Sequence, residues 1–184
     1  MNKTQKQFII YIFAIIILFA IPIFTIAINS NTLKDGSEFL FKVEAYDPYD
    51  MFRGNYLNIR FKEDTAAYIS NNTNSKKDYD YKKQECYVTI RTKEDGFAYF
   101  DKASSIKPEN TSNYFKTTGY YNSYTNSYRI DTPTRYYMNE NKSEKAEKIY
   151  RDNIDNAYVK VRVKDGKMVL VGVYINGKLI DSID

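Results

Sequence analysis

From Phe8 to Ile28 the chain reads FIIYIFAIIILFAIPIFTIAI, 21 residues without a charge. At about 1.5 Å of rise per residue, such a helix spans roughly 31 Å, the thickness of a bilayer's hydrocarbon core. Ten Ile, four Phe and Leu18 each favour insertion, and together they outweigh Thr25 and Pro22. Pro22 sits late in the run, and lipid-embedded helices tolerate proline where other groups satisfy the freed carbonyl. Lys3 and Lys6 precede the run and no acid does, which holds that end in the cytoplasm. A cleaved signal peptide is the competing reading. Thr25-Ile26-Ala27 is a poor cleavage site, however, and the run exceeds the roughly 7–15 apolar residues usual for such a peptide. The sequence therefore predicts a cytoplasmic tail over 1–7, a membrane helix over 8–28 and an extracytoplasmic head over 29–184, with the bilayer itself as the partner of Phe8–Ile28.

Composition narrows what the head can do. The chain has no His, which removes the Ser-His-Asp and Cys-His arrangements and imidazole metal sites. Its single cysteine, Cys86, excludes an intramolecular disulfide and reads as a small buried hydrophobe in a strand. With Lys3 and Lys6 set aside, 25 basic and 23 acidic residues remain, all beyond the apolar run. That near balance is no footprint for nucleic acid. No cofactor and no metal is expected, and no residue is assigned a catalytic role.

Alternation of apolar and polar residues marks strands along the head. In 38–46, Phe39, Phe41, Val43 and Ala45 share a face. In 55–61, Leu57, Ile59 and Phe61 do the same. Residues 29–36 read as a short polar linker, and 71–85 as a long exposed loop. Cys86, Val88 and Ile90 face inward along 86–91. Asp95-Gly96 is a turn before a short strand over 97–100, and 114–130 hold further strands rich in Tyr. A helix is predicted over 141–154, capped by Asn141, with Ala146, Ile149, Tyr150 and Ile154 on one face. Asp165-Gly166 and Asn176-Gly177 are two-residue hairpin turns. The first pairs Val163 with Met168 and Val161 with Leu170, and the second brings Val173 opposite Ile180. The fold class is mostly β, a sandwich or partly closed barrel with one short helix, preceded by a single N-terminal transmembrane helix.

The stretch Asp47-Pro48-Tyr49-Asp50-Met51-Phe52-Arg53-Gly54-Asn55-Tyr56-Leu57-Asn58-Ile59-Arg60-Phe61 has its own mechanical logic. Pro48 sets φ for a turn in which Asp47 and Asp50 accept backbone N–H bonds. Gly54 allows positive φ at the entry to the next strand, and Arg53 reaches a carboxylate. Tyr56 packs its ring and places its hydroxyl on a carbonyl. This is a lock on a strand–turn–strand corner. The alternative is a cleft in which Asp47, Asp50, Arg53 and Glu140 converge as an acid–base and anion-binding set, giving a carboxylate-dependent hydrolase.

This stretch resembles the GDYXXLXY family. The motif's Gly falls on Gly54, its first Tyr on Tyr56, its Leu on Ile59 and its last Tyr on Phe61, while Asn55 replaces the Asp. Arg135-Tyr136-Tyr137-Met138-Asn139-Glu140, Glu147 and the closing Val-rich hairpin resemble further family segments. An amide at position 55 cannot take a proton at neutral pH, which favours the lock over a general base there. The resemblance implies a membrane-anchored protein associated with a multi-pass membrane or envelope protein, and by itself it implies no reaction. The expected role is a non-enzymatic accessory module.

Overall fold

The computed structural model describes residues 3–44, 56–69 and 83–182, without the side chains of 3, 4, 10 and 140. It opens with α1 (Lys3–Asp35) and continues directly into β1 (Ser37–Glu44). Then follow β2 (Tyr56–Asn58), β3 (Arg60–Phe61), β4 (Thr65–Tyr68), β5 (Lys83–Thr92), β6 (Ala98–Ser104), β7 (Tyr114–Asn122), β8 (Ser127–Ile130) and β9 (Arg135–Tyr137). The chain ends with α2 (Glu140–Asp152), β10 (Ala157–Lys164), β11 (Lys167–Ile175) and β12 (Lys178–Leu179). The expected mostly-β class with one long apolar helix and one short helix is what the protein adopts. Of the two architectures left open, the barrel is present. Strands β4-β6-β5-β7-β8 close on themselves, while β12-β11-β10-β1-β3 form an open sheet beside them.

Sheet and barrel share one core. The inward residues of β1, Phe39, Phe41 and Val43, are buried as the alternation predicts. Phe41 meets Phe61 of β3 at 5.2 Å and Phe100 of β6 at 4.8 Å between ring centroids. Phe100 in turn meets Phe115 of β7 at 5.6 Å. Offset and edge-on rings at these separations add stabilisation beyond their buried area, so this aromatic chain welds the sheet to the barrel wall. Cys86 is buried on the inner side of β5, and burial pushes its thiol pKa up to about 11. It is the inert apolar filler expected of it.

The turns follow their chemistry. Asp165 and Gly166 both take positive φ, as do Asn176 and Gly177. The first hairpin has the expected register, Val163 opposite Met168 and Val161 opposite Leu170. The second pairs Tyr174 with Leu179 and Ile175 with Lys178. Ile180 then starts a 3₁₀ turn, so Val173 and Ile180 are both buried but not strand partners.

Other expectations are corrected. Residues 29–35 are not a linker, because α1 runs through them to Asp35. The cap of α2 is Asn139, whose side chain accepts from the Asn141 backbone N–H, so Asn141 lies inside the helix. Strand β5 begins at Lys83, within the stretch expected to be loop, because β7 pairs with it from Lys83 onward. The strand expected over 55–61 is two strands. Tyr56–Asn58 pairs with β9, then Arg60–Phe61 crosses to pair with β1. Ala45 and residues 71–82 lie outside the described residues.

The junction between α1 and the sheet is packed and polar. Arg162 of β10 donates to the carbonyl oxygens of Leu33 and Lys34, at 2.5 and 2.8 Å. Lys164 reaches the Asp35 carboxylate at 3.0 Å. The last carbonyls of any helix lack intrahelical partners, and here a strand side chain supplies them. Thr32 is buried at this contact. A Cβ on Gly36 would collide with the Thr32 carbonyl oxygen and lie 3.1 Å from that of Val163, so the close approach requires glycine.

Candidate functional site

Of the motif residues, the structure describes Tyr56 and the strand that follows. Asp47, Asp50, Arg53 and Gly54 lie outside the described residues. Glu140 is the first residue of α2, and its side chain also lies outside them. The hydrolase arrangement therefore rests on groups the structure does not describe.

What is described is a corner. Two separately recognised segments meet there as β2 and β9, with Tyr56 opposite Tyr137, Leu57 opposite Tyr136 and Asn58 opposite Arg135. The Tyr56 and Tyr137 rings stand edge to face at 5.8 Å. The Arg135 guanidinium lies 4.8 Å from the Tyr56 ring centroid. Leu57, Ile59 and Phe61 are each 2 % exposed or less, so the motif strand is nailed into the core by every inward residue. Its backbone is tied as well, with the Ile59 N–H bonding the Thr134 carbonyl at 2.8 Å.

Two tyrosine hydroxyls brace this corner. Tyr136 donates to the Asp181 carboxylate at 2.5 Å, and the Lys142 ammonium donates to the Asp181 backbone carbonyl at 2.9 Å. Tyr150, on the buried face of α2, donates to the Glu44 carbonyl at 3.3 Å, where β1 ends. Burial raises the pKa of both phenols. The bond to Asp181 adds to this for Tyr136, and the nearby Glu44 charge for Tyr150. Glu44 also holds Arg60 at 2.7 Å. The residues on both sides of the 45–55 stretch are thus anchored, Glu44 by Tyr150 and Arg60, and Tyr56 by Tyr137 and Arg135.

Next to the corner lies a cleft of about 500 Å³. It is lined by the motif strand (Ile59, Arg60, Phe61) and by Arg129 and Ile130 of β8, and it is completed by Asp64, Tyr120, Asp131, Thr132 and Thr134. On its barrel wall, where β4 pairs with β8, Arg129 holds Asp64 at 3.0 Å. Asp131 takes Lys83 at 2.7 Å and the Thr118 hydroxyl. Burial works against the Asp131 charge, but the bonds from Lys83 and Thr118 prevail and hold its pKa below the usual carboxylate value. Asp131 is therefore ionised at neutral pH and has no proton to give. Asp64 and Arg129 are 65 positions apart and share no motif. Sequence reading singled out neither, nor Asp131, because only closure of the barrel brings them together.

Fold and corner together define a class: a barrel and sheet on one core, preceded by a helix that is, among the described residues, the one long and apolar enough to cross a membrane, with none of its apolar window buried in the chain. The chain belongs to the GDYXXLXY protein family, whose family model matches residues 18–173. That match takes in the end of the apolar helix, the motif strand, β9 and the closing hairpin. No curated protein and no solved structure matches the chain.

Proposed function

We propose that this protein is a single-pass membrane protein with a cytoplasmic N-terminus and an extracytoplasmic head, and that it acts by binding another multi-pass membrane or envelope protein rather than by catalysis. One observation carries the reading. The apolar window of α1 has no cover from its own chain, yet the same helix is bolted to the head by Arg162, Lys164 and Gly36. A helix apolar on all sides needs lipid or other helices around it. Here whatever it meets in the bilayer is mechanically connected to the head. Lys3 and Lys6 support the orientation. The braced corner supports a binding scaffold, since Tyr136, Tyr150, Asp181 and Glu44 are spent on internal bonds.

Two measurements on intact cells test this. Tyr124 is 87 % exposed, so the variant Tyr124→Cys should react with a membrane-impermeant maleimide without permeabilisation. Reaction only after permeabilisation overturns the orientation. Crosslinking in native membranes, followed by mass spectrometry, should capture the same multi-pass or envelope protein repeatedly. Recovery of the chain alone in every repeat overturns the partner reading.

A further inference from the structure

The cleft between the motif strand and β8 is not used by the partner reading, and its walls have a chemistry of their own. Its volume of about 500 Å³ falls within the range of small-ligand sites. Its charged lining residues are two arginines, Arg60 and Arg129, and two aspartates, Asp64 and Asp131. The charges balance and are already paired: Arg129 with Asp64, Arg60 with Glu44, and Asp131 with Lys83. A phosphate or a cation would have to compete with one of these pairs, so the cleft does not select an ion. A neutral ligand can use each pair as it stands.

The pairs offer what adjacent hydroxyls require. A guanidinium is donor only and a carboxylate acceptor only. The Arg129 Nε donates to one Asp64 oxygen at 3.0 Å, and the terminal N–H groups of that guanidinium and the second carboxylate oxygen remain side by side as a donor and an acceptor for neighbouring hydroxyls on a sugar ring. Thr132 and Thr134 add hydroxyls, and Ile59 and Ile130 give an apolar floor for ring C–H groups. Tyr120, 40 % exposed at the rim, supplies an aromatic face. We infer that this cleft is a binding site for a neutral pyranose oligosaccharide, gripped by the Arg129–Asp64 pair and packed against Tyr120.

The test uses the full chain in a detergent without a sugar headgroup, such as lauryldimethylamine oxide. Isoleucine methyl and tyrosine ring carbons are labelled for NMR, and the signals of Ile130 and Tyr120 are assigned by Ile130→Val and Tyr120→Phe. Maltotriose and chitotriose are titrated separately, and inorganic phosphate is titrated in parallel. The expected result is a saturable shift of Ile130 and Tyr120 with at least one of the two sugars, while Tyr11 of α1 stays still. Arg129→Gln should weaken that binding about tenfold, the loss of one charged hydrogen-bonding group. Thr132→Ala should weaken it several-fold with an unchanged melting curve. The absence of a shift with both sugars overturns the inference. So does a shift that survives both Arg129→Gln and Thr132→Ala undiminished, or saturation by phosphate in place of sugar.

Discussion

Tyr56 and Tyr137 stand opposite each other in the β2–β9 pairing, their rings edge to face at 5.8 Å. This contact joins the motif strand to a segment about eighty positions later, and it explains why both carry recognisable tyrosines. Tyr56 also receives the Arg135 guanidinium on its ring. Tyr56→Ala removes both contacts. It is expected to cost the head about 1–2 kcal/mol, a drop of a few degrees in melting temperature. Tyr56→Phe should cost much less, since the ring contacts remain. Thermal melts followed by circular dichroism in detergent separate the two variants.

The aromatic weld gives a stronger expectation. Phe41 is 1 % exposed and touches Phe61 of the sheet and Phe100 of the barrel. Phe41→Ala is expected to cost about 3–5 kcal/mol, as for other deeply buried aromatic rings. Because the ring lies between sheet and barrel, both should lose stability in one shared transition. Denaturant curves read by far-UV and near-UV circular dichroism should stay coincident while the midpoint falls.

Stability should also depend on pH on the alkaline side. Burial raises the pKa of Tyr136 and Tyr150 above the usual phenol value of about 10. The folded state therefore keeps these protons at a pH where the unfolded chain has released them. Their contribution is whole below the unfolded value and is lost as pH climbs above it. Melting temperatures measured at rising pH should fall beyond about pH 10, and the fall should be shallower in Tyr136→Phe and in Tyr150→Phe.

The junction between helix and head yields a fourth expectation. A methyl group on Gly36 collides with the Thr32 carbonyl, so Gly36→Ala should cost about 1–3 kcal/mol of overpacking strain. Arg162→Ala uncaps the Leu33 and Lys34 carbonyls. Both variants should loosen the head on its helix. Spin labels on α1 and on β11 would report this as a broadened distance distribution, and limited proteolysis as new cleavage over residues 29–37.

Much of the fold was legible because it rests on local rules. Alternation in β1, in the motif strand and in β5 marked inward residues that are buried. Asp165-Gly166 and Asn176-Gly177 announced their turns because few other pairs accept two positive φ angles in succession. Strand β4 went unread, since Thr65-Ala66-Ala67-Tyr68 is weakly patterned and is held by β6 and β8 on either side. The polar letters of 29–35 read as a linker, yet those residues are helical, with strand side chains from β10 capping the helix end.

The sequence alone determined that one segment is fit to lie in lipid, that the remainder is strand-built, and that the chain carries the GDYXXLXY signature. Each of these follows from the chemistry of neighbours a few residues apart, through helix rise, side-chain alternation and turn dihedrals. Only the tertiary structure decided that the barrel closes, that β2 finds β9, that Arg162 caps the membrane helix, and that Asp64, Arg129 and Asp131 face one cleft. Those are encounters between positions tens of residues apart. They form because burying Phe41, Phe61, Phe100 and Phe115 in one core leaves the backbone few other ways to satisfy its hydrogen bonds.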